Sequence, residues 1–202
     1  MLSISHIERN TELLGPYHRY VLWVYGCCFD CECCMAYNTK FGSETLISPY
    51  ELADDILRYD VEGITISGGE PFMQATALYE MVARVKQKKD YGVIIYSGFT
   101  LAELKESQNC APLLSVTDIL IDGRYIKELD VGQAYIGSSN QTLHYLTDRY
   151  KNIGKEYYSA QKRRAEIKLT VDQAVLIGVP SANVLNTWHE IKKKTGGDIN
   201  EF

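Results

Sequence analysis

Five of the six cysteines of this chain lie within eight residues, from Cys27 to Cys34. They give the spacing Cys27-x3-Cys31-x2-Cys34, with Cys28 and Cys33 as immediate neighbours. Thiolates are the usual ligands of iron–sulfur clusters, and a [4Fe–4S] cluster normally takes four of them. Three thiolates on one loop can hold three irons, which leaves the fourth iron open to another ligand. We therefore interpret this stretch as a cluster site with one open iron.

Zinc and inert thiols remain alternatives to iron–sulfur chemistry on spacing alone. Cys28-x2-Cys31-x2-Cys34 contains two overlapping CxxC pairs, which are zinc-binding patterns. A structural zinc site usually draws its second pair from a distant CxxC or histidine pair, and this sequence offers neither. A disulfide framework is disfavoured, since the chain is long, has no secretory apolar region and packs its cysteines closely. Cys110 stands apart and is expected to be an ordinary buried thiol.

Composition predicts a globular protein of the cytoplasm. The chain has 202 residues, of which 46% are apolar and 23% charged, enough for one domain with a small appendage. No apolar run reaches the length of a membrane span, and no targeting signal opens the sequence. The net charge of −5 disfavours general nucleic-acid binding. We expect neither a membrane nor a nucleic acid among its partners.

The elements that would position the cysteines alternate between strands and helices. Ser48 and Thr100 are predicted helix N-caps, the residues through Asn10 are expected to form an edge segment, and 37–48 is predicted to be a loop. Apolar runs predict strands at 19–26, 63–67, 92–96 and 118–122, and helical spacing predicts helices at 49–58, 74–88 and 101–107. This alternation is typical of βαβ units around a parallel sheet.

Four short segments each follow a predicted strand and should meet at one edge of that sheet. They are the cysteine stretch, Gly68-Gly69-Glu70-Pro71, Ser97-Gly98 and Asp122-Gly123. The carboxyl ends of parallel strands are where α/β folds place their sites. The paired glycines let a backbone approach a ligand closely. Glu70 could accept hydrogen bonds from a ligand ammonium or be a surface carboxylate. Ser97 could offer its hydroxyl as donor and acceptor at this edge, with a role in its own turn as the favoured alternative, and Asp122 could bind ribose hydroxyls or cap a turn.

The cysteine spacing, followed by Ser67-Gly68-Gly69-Glu70-Pro71, resembles the radical S-adenosylmethionine (SAM) superfamily. More narrowly, the chain resembles the activating proteins of anaerobic (class III) ribonucleotide reductase, over roughly residues 13 to 145. The supporting stretches are Gly15-Pro16-Tyr17-His18-Arg19, Leu22-Trp23-Val24-Tyr25-Gly26-Cys27, Tyr96-Ser97-Gly98-Phe99-Thr100, Asp118-Ile119-Leu120-Ile121-Asp122-Gly123 and Gly137-Ser138-Ser139-Asn140-Gln141.

This resemblance implies an α/β fold, a partial (β/α)6 TIM-like barrel with parallel strands. It implies a [4Fe–4S] cluster on Cys27, Cys31 and Cys34, with SAM chelating the fourth iron through its amino and carboxylate groups. The implied SAM contacts are Gly68, Gly69 and Glu70 for the ammonium, the backbone of Cys33, Cys34 and Met35 for the adenine, and Ser97, Asp122 and Asn140 for the carboxylate and ribose.

The resemblance also implies an activity. An electron, from a flavodoxin-like donor by resemblance, would cleave SAM to methionine and a 5′-deoxyadenosyl radical. That radical would then generate a glycyl radical on a partner, anaerobic ribonucleotide reductase. One alternative is a small radical SAM enzyme acting on a peptide or small molecule, similar to 7-carboxy-7-deazaguanine synthase. The other is a zinc or iron–sulfur binding module without enzymatic activity.

The sequence departs from compact relatives at two places. Cys28 and Cys33 are extra thiols, for which small-residue packing is the favoured interpretation. A core at 1–150 is followed by an extension at 151–202, which is expected either to complete the core or to dock the partner. The extension has a predicted hairpin, Glu166 to Val171 and Ala174 to Val179 around Asp172-Gln173, and a helix from an N-cap at Ser181 to Lys194, with Val184, Leu185, Trp188 and Ile191 on one face.

Overall fold

Four parallel strands form the centre of the fold in a computed structural model of the chain. The structure describes residues 1–32, 34, 36–130, 132–153, 163–169, 174–180, 182–195 and 199–201. The strands are β1 (Leu2–Thr11), β2 (Arg19–Val24), β3 (Thr45–Ile47), β4 (Gly63–Gly68), β5 (Gly92–Ser97), β6 (Ile119–Asp122), β7 (Thr142–Tyr145), β8 (Ala165–Leu169), β9 (Ala174–Gly178) and β10 (Ile199–Glu201). The helices are α1 (Asn38–Phe41), α2 (Pro49–Ile56), α3 (Ala75–Lys86), α4 (Leu101–Glu106), α5 (Ala111–Ser115) and α6 (Ala182–Thr195).

The large sheet has the strand order β3-β1-β2-β4-β5-β6-β7. Strands β2, β4, β5 and β6 pair in parallel, whereas β1, β3 and β7 pair antiparallel at the two sides. The predicted α/β class and its parallel centre are confirmed. The finer prediction, a partial (β/α)6 barrel, stays a prediction, because pairing gives the order of strands and not how far the sheet curves.

Alternation along the parallel strands divides the apolar core between two faces of the sheet. On one face, Leu22 and Ile66 pack against α2 and α3 in the largest buried cluster, which also holds Cys110 as predicted. On the other face, Val21 and Trp23 pack against residues of β9. Successive strand residues point to opposite faces, so one strand can serve both clusters.

Local signals predicted several element boundaries well. Ser48 and Thr100 each form a complete capping box, and the helices that follow them begin where predicted. Two predictions are wrong. The segment at 37–48 is not a continuous loop, because it contains α1 and β3. The first residues are not an edge segment, because β1 pairs with β2 on one side and β3 on the other.

The C-terminal segment forms a three-stranded sheet in the order β10-β9-β8. The antiparallel pair β8–β9 confirms the predicted hairpin strands, but its turn and the predicted cap at Ser181 lie outside the described residues. Of the predicted apolar face of α6, Trp188 is buried against Leu176, whereas Val184 and Ile191 are about 40% exposed. Strand β10, parallel to β9, was not predicted. The division near residue 150 stays a prediction.

Within the described ranges, no helix combines the length and the apolar character that a bilayer crossing requires.

Candidate functional site

The four predicted segments converge on one cavity of about 560 Å³ at the carboxyl ends of the parallel strands. Its predicted lining residues are Cys27, Cys31 and Cys34 from the first segment, Gly68 and Gly69 from the second, Ser97 and Gly98 from the third, and Gly123 from the fourth. The expected convergence is therefore confirmed, since each strand delivers its following loop to the same edge.

The paired glycines hold the start of the cysteine loop through direct backbone contact. The Gly69 N–H donates to the carbonyl of Val24 at 2.9 Å, and the Glu70 N–H donates to the carbonyl of Gly26 at 2.8 Å. A Cβ on Gly69 would lie 1.9 Å from the Gly26 oxygen, and one on Gly68 would lie 2.4 Å from the Val24 nitrogen. Gly68 also has φ +112°, which side chains disfavour. Only glycine fits at these two positions.

Glu70 connects two of the loops from inside the protein. Its carboxylate is fully buried and accepts hydrogen bonds from the N–H of Phe72 at 2.9 Å, the N–H of Gly98 at 2.8 Å and the Ser97 hydroxyl at 3.0 Å. Burial raises the pKa of Glu70 to about 7, although these three donors oppose the rise. The side chain does not line the cavity. The Glu70 side chain instead holds the Ser97-Gly98 turn next to the turn formed by Gly68 and Gly69, here called the glycine turn.

The thiols of Cys27, Cys31 and Cys34 all line the cavity and form no disulfide. Burial raises the pKa of the Cys27 thiol to about 11, against the lowering effect of the Phe29 N–H, which lies 3.4 Å from its sulfur. Binding of a metal would therefore have to displace a proton. Cys28 is exposed and does not line the cavity, whereas Cys33 and Met35 lie outside the described residues.

The donor set suits an iron–sulfur cluster, because three reduced thiols on one loop share one cavity. In the part of the chain that the structure describes, no group of three or more His, Cys, Asp and Glu side chains is already gathered as metal ligands. The cysteine donors therefore fit the predicted group in their chemistry and in lining one cavity, although they are not gathered as ligands.

Phe29 is a site residue that sequence analysis missed. Its ring lies edge-on to Phe99 with centroids 4.7 Å apart, and the Arg124 guanidinium lies 4.4 Å from its centroid on the rim. The Lys40 ammonium donates to the Phe29 carbonyl at 3.0 Å and to Asp30 at 2.8 Å. A Cβ on Gly98 would come within 2.5 Å of the Phe29 ring, so the missing side chain makes room for it. These contacts anchor the middle of the cysteine loop.

Asp122 and Asn140 are not among the residues that line the cavity. The Asp122 carboxylate accepts from the Leu101 N–H at 2.6 Å and lies 3.0 Å from Nε2 of His144. The Asn140 amide donates to the Arg124 carbonyl at 2.8 Å. Both side chains therefore hold loops together, and their predicted ligand roles stay predictions.

Gln141 lines the cavity and is a second site residue that sequence analysis missed. Its amide oxygen accepts from the Gly137 N–H at 2.8 Å, and its amide nitrogen donates to the Gly123 carbonyl at 2.7 Å. One side chain thus fastens the end of the loop that begins after β6.

Comparison with known proteins gives a family match and close relatives. Residues 13–144 match the model of the 4Fe-4S single cluster domain. A Vibrio cholerae protein is 36% identical over 143 residues, which cover 66% of this chain and 91% of the relative. A protein of Enterobacteria phage T4 is 30% identical over 141 residues, which cover 66% of this chain and 88% of the relative. A protein of Escherichia coli K12 is 30% identical over 146 residues, which cover 65% of this chain and 91% of the relative. All three are called anaerobic ribonucleoside-triphosphate reductase-activating protein.

Proposed function

Since the chain belongs to the family of anaerobic ribonucleoside-triphosphate reductase-activating proteins, we propose that it activates such a reductase. In this proposal it is a radical SAM enzyme that prepares a glycyl radical on the partner. The observation that carries the proposal is the cavity itself. Three free thiols and a paired-glycine turn line it, within the region that matches a 4Fe-4S domain.

Cys27, Cys31 and Cys34 are the proposed ligands of a [4Fe–4S] cluster. When the cluster and SAM are bound, they supply one-electron reductive cleavage of SAM to methionine and a 5′-deoxyadenosyl radical. The protein contributes binding, orientation and an environment that protects the reactive species. The Phe29 anchor and the glycine turn support this role, because they fix the loop on either side of Cys27.

The glycine turn and Glu70 are the proposed site for the SAM ammonium. A carboxylate has about four acceptor positions, and three donors already engage that of Glu70. One position remains for an ammonium, although the side chain is buried behind the cavity wall. We assign Ser97, Asp122 and Asn140 to the carboxylate and ribose, and the backbone at Cys33, Cys34 and Met35 to the adenine, as the family pattern suggests.

Three further parts of the proposal concern the setting of this chemistry. A flavodoxin-like protein is the proposed electron donor. Five free cysteines among the described residues suit the reducing conditions of a cytoplasm, where we place the protein. Four parallel strands with their loops around one cavity are compatible with the partial (β/α)6 barrel of the proposed family fold.

Anaerobic reconstitution tests the proposal. We expect a brown protein with about four irons per chain that converts SAM to 5′-deoxyadenosine under strong reductant. Cys31→Ala should lose the cluster, whereas the matched variant Cys28→Ala, at an exposed thiol outside the cavity, should keep it. A colourless zinc protein that leaves SAM intact would refute the proposal. Loss of the cluster in Cys28→Ala but not in Cys27→Ala would refute the ligand assignment.

A further inference from the structure

Part of the C-terminal segment contributes to the cavity, although the family match ends at residue 144. We propose that this part, here called the C-terminal wall and consisting of Arg163, β9 and Val179, determines which ligand fits the site. In this proposal Val179 limits the apolar side of the cavity, and Arg163 positions the loop after β6. The inference rests on the proposed function for the identity of the ligand.

Apolar packing holds β9 against the face of the large sheet that lies opposite α2 and α3. Val175, Ile177 and Val179 are buried in one cluster with Val21 and Trp23 of β2. Removing these three apolar side chains from water stabilises the contact. The strand is therefore a fixed surface of the fold.

The end of β9 reaches the cavity. Gly178 and Val179 line it beside Leu14 and Trp23. The Val179 N–H donates to the Arg164 carbonyl at 3.1 Å. Gly178 has φ +108°, and a Cβ added to it would lie only 2.6 Å from the same carbonyl oxygen. This bend places Val179 at the wall, where it is 8% exposed. A larger side chain at 179 would therefore project into occupied space or into the cavity.

Arg163 joins the C-terminal wall to the loop after β6. Its guanidinium donates to the carbonyls of Gly137 at 3.2 Å and Gln133 at 3.3 Å, and it forms an ion pair with Asp130. The Arg163 side chain is only 10% exposed, so solvent screens these contacts weakly. Burial raises the pKa of Asp130, but hydrogen bonds from Arg163 and Gly132 outweigh it, and the pKa lies below its usual range.

The loop after β6, which Arg163 holds in place, contributes part of the cavity lining. Tyr135, Gly137 and Gln141 all line the cavity, and the Gly137 carbonyl is one of the acceptors of Arg163. Without the guanidinium, the carbonyls of Gln133 and Gly137 and the carboxylate of Asp130 would each lose a hydrogen-bond or ion-pair partner. Because hydrogen bonds to charged groups are stronger than neutral ones, the loop should then open more often.

Val179→Phe tests whether residue 179 limits the space that the ligand can occupy in the cavity. In cluster-loaded protein, we expect SAM to bind at least about tenfold more weakly, since the larger ring would take up part of the cavity that the ligand occupies. The matched control is Ile167→Phe, at an exposed residue of β8 that does not line the cavity, and it should bind SAM like the wild type. Equal SAM affinity in Val179→Phe and wild type would overturn the proposal. Failure of wild-type protein to bind SAM would instead refute the proposed function.

Arg163→Gln, in protein without cluster or SAM, tests whether Arg163 holds the loop after β6 in place. We expect the amides of Gly137 and Ser139, both hydrogen-bonded within the loop, to exchange hydrogen for deuterium at least about tenfold faster. Arg164→Gln is the matched control, because its side chain is 56% exposed and its ion pair among the described residues is with Glu12 at 3.6 Å. Unchanged exchange in Arg163→Gln, or equal acceleration in both variants, would overturn the proposal whatever the ligand is.

Discussion

Gly69→Ala should damage the site by steric conflict alone. Gly69 is not among the glycines with a positive φ, so the expected conflict is one of space: the added Cβ would lie 1.9 Å from the Gly26 oxygen. The two backbones must separate by about 1 Å or more to restore a normal contact. This separation breaks the two hydrogen bonds from Gly69 and Glu70 to the strand end, which together contribute about 1–3 kcal/mol.

Anaerobic urea unfolding of the protein without cluster measures this loss, and iron content after reconstitution measures its effect on the site. We expect a lower free energy of unfolding by about 1–3 kcal/mol and reduced iron uptake. Gly132→Ala is the control, since Gly132 has φ +71° but open space around its Cβ position. It should cost at most about 1–2 kcal/mol through backbone strain and leave iron uptake unchanged. A Gly69→Ala protein with wild-type stability and iron content would show that the close approach does not hold the loop.

Two further predictions concern residues next to the cavity. Because burial raises the pKa of Glu70 from 4.5 to about 7, its ionisation in the unfolded chain should lower stability by about 3 kcal/mol as pH rises through that window, with no further change above it. The free energy of unfolding in urea, measured at several pH values, should therefore vary less with pH for Glu70→Gln than for wild type. The control Glu103→Gln, at an exposed carboxylate with a lowered pKa, should not reduce this variation. The same pH dependence in Glu70→Gln and wild type would show that burial of Glu70 is not its cause. Gly98→Ala should displace the Phe29 ring and speed iodoacetamide labelling of Cys27 about tenfold. Gly132→Ala, which does not line the cavity and has open space around its Cβ position, should leave that rate unchanged, and equal rates in the two variants would contradict the anchor.

Local sequence signals were enough for much of the fold around the site. Ser48 and Thr100 precede glutamates three residues later, and such capping boxes need only neighbouring residues. The apolar runs of β4 and β5 were recognisable, since strands buried on both faces are continuously apolar. The convergence of their loops then followed from parallel pairing alone.

Individual side-chain contacts between distant segments could not be predicted. Arg19 begins a strand and would be expected at the surface, yet it is fully buried and donates to the Tyr150 hydroxyl at 2.7 Å and the Ile64 carbonyl at 2.6 Å. For the same reason, neither the contacts of Phe29 nor the packing of β9 against Val21 and Trp23 could be predicted. Helix α1, with four residues, is too short for periodicity to reveal.

The most direct measurement is the EPR spectrum of an anaerobic ribonucleotide reductase after reaction with this protein, SAM and a strong reductant. The account predicts the doublet of a glycyl radical, which should be absent when Cys31→Ala replaces the wild-type chain. A reductase that stays without a radical, although the wild-type protein carries its cluster and cleaves SAM, would contradict the proposed activation.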